Sequence, residues 1–337
     1  MAVCECLKTD GSRCKRSVKQ NSLYCWQHQN CQIMQGEKVK QKGGSPPKIS
    51  FPIANFNVCN HLHLNKFTKF VESEEATLNR YLYSIHTLLN FVNFYQIKAV
   101  SLSEVTNEYH DAFQSLLKSD IKKGDIKLTY EGKSLMTVFF GVDKVEQVPV
   151  AYHPERDRLQ IFNLSIQSDD KNFYLTYINI HGYGLPEIRE KYLNNNLLYI
   201  NELRKAKLIF NEFVLCGDFN SDYDQVDKVL KQAQVDKHFA KPNFSDVNLY
   251  RDFRSTSYHR YILTSEGQFE DKPKAIWYSK MDHLLYTNAL EVSNLLIFPT
   301  DFTKYEHPYQ MVNSVQKLGV WPSDHTLNIY QMSVKLI

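Results

Sequence analysis

Val214-Leu-Cys-Gly-Asp-Phe-Asn220 is the most informative stretch of this chain: a short apolar run, a glycine, then an acid and an amide two residues apart. Residues 213–216 have the length and composition of a buried strand. Gly217 allows a tight exit, and side chains two apart beyond a strand project from the same face. Asp218 and Asn220 are therefore presented together at a strand end. On its own such a turn serves structure as readily as chemistry, because Asp and Asn both favour turns. Its meaning depends on what the rest of the chain sets beside it.

Working outward, residues 187–211 carry Ile188, Tyr192, Leu197, Ile200, Leu203 and Leu208 at helical spacing, and residues 223–238 read as a second amphipathic helix. Upstream, residues 134–142, 159–166 and 173–180 are short, β-branched or aromatic, and bounded by charged or Gly-containing turns, as strands are. Residues 49–58 read as an earlier buried strand. A helix follows, with Leu78, Tyr81, Leu82, Ile85, Leu88, Leu89 and Val92 on one face. Beyond a polar, loop-rich region, strands are expected at 275–277, 283–286 and 327–332. Strands alternating with helices point to an α/β architecture.

A second chemistry-bearing cluster lies near the C-terminus: Pro322-Ser-Asp-His-Thr326, an acid next to an imidazole just ahead of a strand. Phosphate cleavage calls for such groups. Carboxylates bind a hard cation through oxygen, and a histidine protonates or hydrogen-bonds a phosphate oxygen as charge develops. A Gly-Asp-x-Asn motif paired with a late Ser-Asp-His motif resembles the endonuclease/exonuclease/phosphatase superfamily. Four more segments match that pattern in the same order: Phe56-Asn57-Val58, Ala99-Val-Ser-Leu-Ser-Glu104, Tyr177-Ile-Asn-Ile-His181 and Lys280-Met-Asp-His-Leu-Leu285. Each alone has a structural reading, as turn former, solvated carboxylate, core histidine or cap. Their collinearity is what carries the resemblance.

The resemblance implies a four-layer α/β/β/α sandwich and hydrolysis of a P–O bond without a covalent intermediate. Glu104 would be the principal ligand of Mg²⁺ or Mn²⁺, with Asn57 and Asp324 completing its surroundings. Asp218 would deprotonate the attacking water, Asn220 would position it, His181 and His325 would neutralise phosphoryl charge, and Asp282 would orient His325. Some apurinic endonucleases of the superfamily carry an Asp where this chain has Cys59. The inositol-phosphatase branch has an Arg where this chain continues Ser221-Asp222. The segment from Lys280 to Pro299 looks like the deadenylase and nocturnin branch, which points to nucleic acid. Tyr258 and His259, expected in a loop between motifs, are candidate substrate contacts. The alternatives are a phosphatase of small phosphoesters, such as nucleotides or phospholipid head groups, and a catalytically silent binding protein.

The remaining signal is N-terminal. Five of the seven cysteines fall at positions 4, 6, 14, 25 and 31. Cys4, Cys14, Cys25 and His28 form a set suited to tetrahedral Zn²⁺, and a peptide this short needs metal rather than a core to fold. The run Tyr24-Cys-Trp-Gln-His28 resembles a short zinc-ribbon-like motif appended to diverse proteins, and Cys6 and Cys31 are substitute ligands. The expected organisation is a zinc module at 1–35, a basic linker at 36–48 and a catalytic domain at 49–337. Residues 1–50 hold nine Lys/Arg against three acids, leaving 31 basic against 34 acidic residues elsewhere. The basic head reads either as a part drawn to polyanions such as nucleic acid or as a solvated, solubilising charge run, and the module could equally dock a protein partner. At 43% hydrophobic and 23% charged, the chain has the balance of a folded soluble protein rather than a disordered one. No run approaches the ~18 apolar residues of a membrane span and no signal peptide is evident, so a soluble, intracellular protein without membrane insertion is expected.

Overall fold

The run at 49–58 forms strand β1 (Ser50–Asn57), buried at every residue after its first. It belongs to a computed structural model that describes residues 49–60, 73–120, 126–130, 134–150, 156–168, 171–235, 244–250, 256–260, 275–279, 281–298, 323 and 325–334. After β1 come α1 (Glu74–Tyr95), β2 (Ala99–Val105), α2 (Asn107–Asp120), β3 (Ile126–Tyr130), β4 (Ser134–Phe140), β5 (Lys144–Val148), β6 (Leu159–Ser168) and β7 (Lys171–His181). Then follow α3 (Pro186–Lys205), β8 (Phe213–Asp218), α4 (Tyr223–Val235), β9 (Val247–Leu249), β10 (Thr256–Arg260), β11 (Ala275–Ser279), β12 (Asp282–Thr287), β13 (Leu290–Phe298) and β14 (Leu327–Val334).

Two six-stranded sheets result, ordered β13-β14-β1-β2-β4-β3 and β5-β6-β7-β8-β12-β9, with β10 and β11 a separate hairpin pair. Each sheet has one parallel pair at its centre, β1 with β2 and β7 with β8. Parallel neighbours need a crossover connection, and α1 and α3 supply it. The Ser73 side chain caps α1 by accepting from the Ala76 N–H, and Glu74 and Glu75 in the first turn complement the helix dipole. Each parallel pair is flanked by an antiparallel strand, β14 beside β1 and β12 beside β8.

The sheets stack face to face. Phe51, Ile53, Ala99, Phe139 and Tyr330 of the first meet Phe162, Leu164, Tyr177, Val214 and Cys216 of the second. On the second sheet's outer face Ile178, Ile180 and Leu215 bury against Tyr192, Leu197 and Ile200 of α3 and Val226 and Val229 of α4. On the first, Ala54 and Phe56 are fully buried on the side of α1 and α2, whose Tyr81 and Tyr109 rings meet edge-on at 5.1 Å. This is the four-layer α/β/β/α sandwich. Two details differ from the sequence reading. Leu78 is half exposed, and the buried face of α1 carries Arg80 instead; α3 ends at Lys205, which leaves Leu208 exposed beyond it.

Along the strands the inter-sheet face changes character. Residues two apart share a face, so β1 presents Ile53, Asn55, Asn57; β2 presents Ala99, Ser101, Ser103; β7 presents Tyr177, Asn179, His181; and β8 presents Val214, Cys216, Asp218. All twelve are buried. The apolar core thus gives way to a polar layer at the carboxyl ends of both parallel pairs.

Candidate active site

That polar end collects the motif residues. Asn57, His181 and Asp218 close β1, β7 and β8, and Glu104 is the penultimate residue of β2. Asp282 opens β12 directly opposite Asp218, and His325 lies just before β14. His181 is the register partner of Asp218 across the parallel pair.

Asn57 is the hub. Its Nδ2 donates to Glu104 Oε1 at 3.1 Å and to Asp218 Oδ2 at 2.9 Å, and its Oδ1 accepts from the Cys59 N–H at 2.9 Å. Glu104 Oε2 accepts from the Asn60 N–H at 2.9 Å. Asp218 Oδ1 accepts from the Asn220 N–H at 2.7 Å, and the Asn220 amide reaches both Asp218 Oδ2 and the Gly182 carbonyl at 3.2 Å. On the other flank, His325 Nδ1 lies 2.8 Å from Asp282 Oδ2, while His325 Nε2 is 3.8 Å from Asp218 Oδ2. Ser134 Oγ lies 3.4 Å from His181 Nδ1. Ser323 Oγ donates to the Asn57 carbonyl and accepts from the His325 N–H, tying the C-terminal segment to β1.

The backbone here is held in unusual conformations. Cys59 (φ 58°), Glu104 (φ 60°), Ser134 (φ 66°) and Asn220 (φ 50°) all lie in the left-handed region, where a side chain costs energy. A bulge between Ser103 and Val105 re-aims Glu104 out of the β2 ladder. The two sheet-side glycines have a steric reason: a Cβ at Gly182 would lie 2.0 Å from the Phe219 carbonyl oxygen, and one at Gly217 would lie 1.9 Å from that of Ile180. Sharp exit and close approach are both needed to bring β7 and β8 side by side at the site.

Burial, with Asp282 nearby, pushes the Asp218 carboxyl up to about 7, against the opposing pull of His325, Asn57 and the Asn220 N–H. Ligand-capable atoms of Glu104, His181 and Asp218 lie within 4.8 Å of one another, as do those of Asp218, Asp282 and His325.

Of the residues singled out from sequence, Asn57, Glu104, His181, Asp218, Asn220, Asp282 and His325 are brought together. Asp324 and the zinc set Cys4, Cys14, Cys25 and His28 lie outside the described residues. Tyr258 and His259, expected in a loop, lie instead on β10, paired with Trp277 and Ile276 of β11. Sequence reading missed Asn55, Ser134 and Arg80. Asn55 donates to Asp282 Oδ1 at 3.1 Å, and buried Arg80 donates to the Val58 and Cys59 carbonyls. Only Asn55 carried a signal, being two residues before Asn57 and so on its face.

An endonuclease/exonuclease/phosphatase family protein from Bacteroides thetaiotaomicron matches this structure with a TM-score of 0.51 at 12% identity, covering 86% of this chain and 100% of that one. The chain has the endonuclease/exonuclease/phosphatase fold. TDP2 from Caenorhabditis elegans also matches at 0.51 and 13% identity, over 91% of this chain and 79% of that one. TDP2 from D. rerio, complexed with a single-strand DNA product, matches at 0.50 and 13% identity, over 85% and 99%. No family profile matches the sequence, and no curated protein does. At these identities the likeness to solved structures is one of fold, and function has to be argued from the site. No described helix is long and apolar enough to cross a membrane.

Proposed function

We propose that this chain is a divalent-metal-dependent phosphodiesterase that hydrolyses nucleic-acid backbone by in-line attack of an activated water. The observation that carries the reading is the convergence of two carboxylates, Glu104 and Asp218, on a single amide, Asn57, with the Asp282–His325 pair beside Asp218.

The residues present suit Mg²⁺ or Mn²⁺. Their donors are mostly oxygen, as hard cations prefer, and Asp218 is a buried carboxylate whose charge a cation would offset. Glu104 would be the main ligand, with Asn57 and Asp324 beside it. Once bound, the ion supplies Lewis-acid stabilisation of charge on the phosphoryl oxygens. The chain's own residues do the rest. Asp218, fixed by Asn57 and Asn220, takes the proton of the attacking water. Asn220 holds that water's approach. His181 and His325 hydrogen-bond the phosphoryl oxygens, and Asp282 sets the ring of His325 through Nδ1 so that Nε2 faces Asp218.

Nucleic acid as substrate is supported by the basic head and by the single-strand DNA product named for the D. rerio protein of the same fold. Residues 1–35 would bind Zn²⁺ through Cys4, Cys14, Cys25 and His28 and help engage polymer or a protein partner, while Tyr258 and His259 would touch substrate.

The test is hydrolysis of end-labelled single-stranded RNA, single-stranded DNA, duplex DNA and a nucleotide panel with Mg²⁺ or Mn²⁺, beside Asp218→Ala and Glu104→Ala. Cleavage of one polymer, lost in both variants, is the expected result. Activity confined to small phosphoesters would make the protein a phosphatase, and none at all would make it a binding protein.

A further inference from the structure

The geometry points to Asn55 as a positioning residue that locks the Asp282–His325 pair, an inference resting on the hydrolase reading above. Asn55 lies on β1 two residues before Asn57, facing the second sheet, and is 1% exposed. Its Nδ2 donates to Asp282 Oδ1 at 3.1 Å, while Asp282 Oδ2 pairs with His325 Nδ1 at 2.8 Å. Both oxygens of Asp282 are thereby engaged, one from each side. The carboxylate plane is fixed, and with it the direction of the imidazole, whose Nε2 is 3.8 Å from Asp218 Oδ2.

Two physical points separate this from a packing role. An amide NH₂ only donates, so Asn55 requires an acceptor at Asp282 Oδ1. With Oδ1 so engaged, Oδ2 is the oxygen turned to His325 Nδ1. The reverse amide orientation would set two oxygens against each other. Moreover, Asn55 Oδ1 is buried with no partner among the described residues. A buried, half-satisfied amide is worse for folding than an apolar side chain of the same size. Ile53, on the same face one step into the core, shows what packing alone would place there. The amide makes sense through what it does to Asp282.

The test uses the full chain with Mg²⁺ and the polymer that wild type cleaves. Asn55→Leu preserves volume and removes the donor; Asn55→Ala serves if the leucine does not fold. The expected result is a fall in kcat of about 10- to 100-fold, the usual range for a residue that orients another, with KM changed less than about twofold. In an Asp282→Ala background the same substitution should cost less than about threefold, because its target is gone. Equal losses in both backgrounds, or an effect on KM alone, would overturn the inference.

A second readout needs no turnover. The His325 Nδ1 proton, assigned by its disappearance in His325→Gln, should appear far downfield and slow to exchange by NMR in wild type, and be lost in the Asn55 variant. Its persistence at the same shift would overturn the inference. A wild type that shows this proton behaviour but hydrolyses nothing would sink the hydrolase reading and leave the Asn55 lock standing.

Discussion

Gly217→Ala tests whether the spacing of β7 and β8 builds the site. Gly217 adopts φ 151° one residue before Asp218, and a Cβ there would lie 1.9 Å from the Ile180 carbonyl oxygen and 2.9 Å from its carbon. Ordinary contact begins at 3.4 Å, so in a close-packed interior the two strands would have to part by about 1.5 Å. The register pairs Ile180 with Gly217 and His181 with Asp218, so the wedge opens the ladder beside the two side chains that matter. Overpacking of this kind costs about 1–3 kcal/mol and an L residue in a rare backbone conformation about as much again. The sum, about 2–6 kcal/mol, is a large part of the ~5–15 kcal/mol that holds a domain folded. Urea unfolding should show the midpoint falling at constant slope. Below the transition, kcat should fall by about 10²-fold, as expected for a ~1 Å misplacement of reacting groups. A stability change under about 1 kcal/mol with full activity would refute the steric reasoning.

Asp218→Asn carries a pH signature. The folded-state carboxyl is raised from 3.8 to about 7, so across that interval the folded protein holds a proton the unfolded chain has released. Wild-type stability relative to Asp218→Asn should therefore fall as pH rises from about 4 to about 7 in metal-free buffer, then level off; a difference that grows with pH in thermal melts would contradict it. Glu104→Gln should raise the Mg²⁺ concentration for half-maximal hydrolysis by about 10-fold or more, and an unchanged metal titration would remove Glu104 as a ligand. Deleting residues 1–48 should leave turnover of a dinucleotide intact but weaken polymer binding at low salt, where Lys and Arg contacts to phosphate count most; equal affinities at low and high salt would exclude that role.

In the two main sheets the strands legible in the sequence are interior ones, paired along both edges. β4 and β8 are mostly apolar, and β6 and β14 intersperse Leu159, Ile161, Phe162, Leu164 and Ile166, and Leu327, Ile329, Tyr330, Met332 and Val334, with polar residues. The strands missed in the two main sheets were β3, β5, β9 and β13, and these are the four sheet edges. An edge strand faces solvent along one side, and Lys144–Val148, with one buried residue in five, has no apolar signature to read. The site was legible for a different reason: its residues recur as short motifs whose order is informative even when each is ambiguous. What stayed hidden was support. Arg80 sits fully buried on an otherwise uncharged helix face, where charge normally signals solvent. Asn55 interrupts an apolar strand in a way that only the inter-sheet contact to Asp282 explains.

That support and the strained backbone belong together. Among the described residues, six non-glycine positions have positive φ; Gln96 and Lys207 follow helix ends, and the other four are Cys59, Glu104, Ser134 and Asn220 at the site. Such conformations cost about 1–3 kcal/mol each and persist only where surroundings over-determine them. The surroundings are visible. Arg80 grips the Val58 and Cys59 carbonyls, the Asn57 side chain takes the Cys59 N–H, Glu104 takes the Asn60 N–H, and Asp218 takes the Asn220 N–H. Three of these four acceptor or donor groups are themselves site residues. The side chains proposed to do the chemistry therefore also hold the loops that aim them, so removing one should disturb its neighbours' geometry as well as its own function. Double substitutions among Asn57, Glu104 and Asp218 should accordingly cost much less than the sum of the single ones, and additive losses in kcat/KM would show the three to act independently.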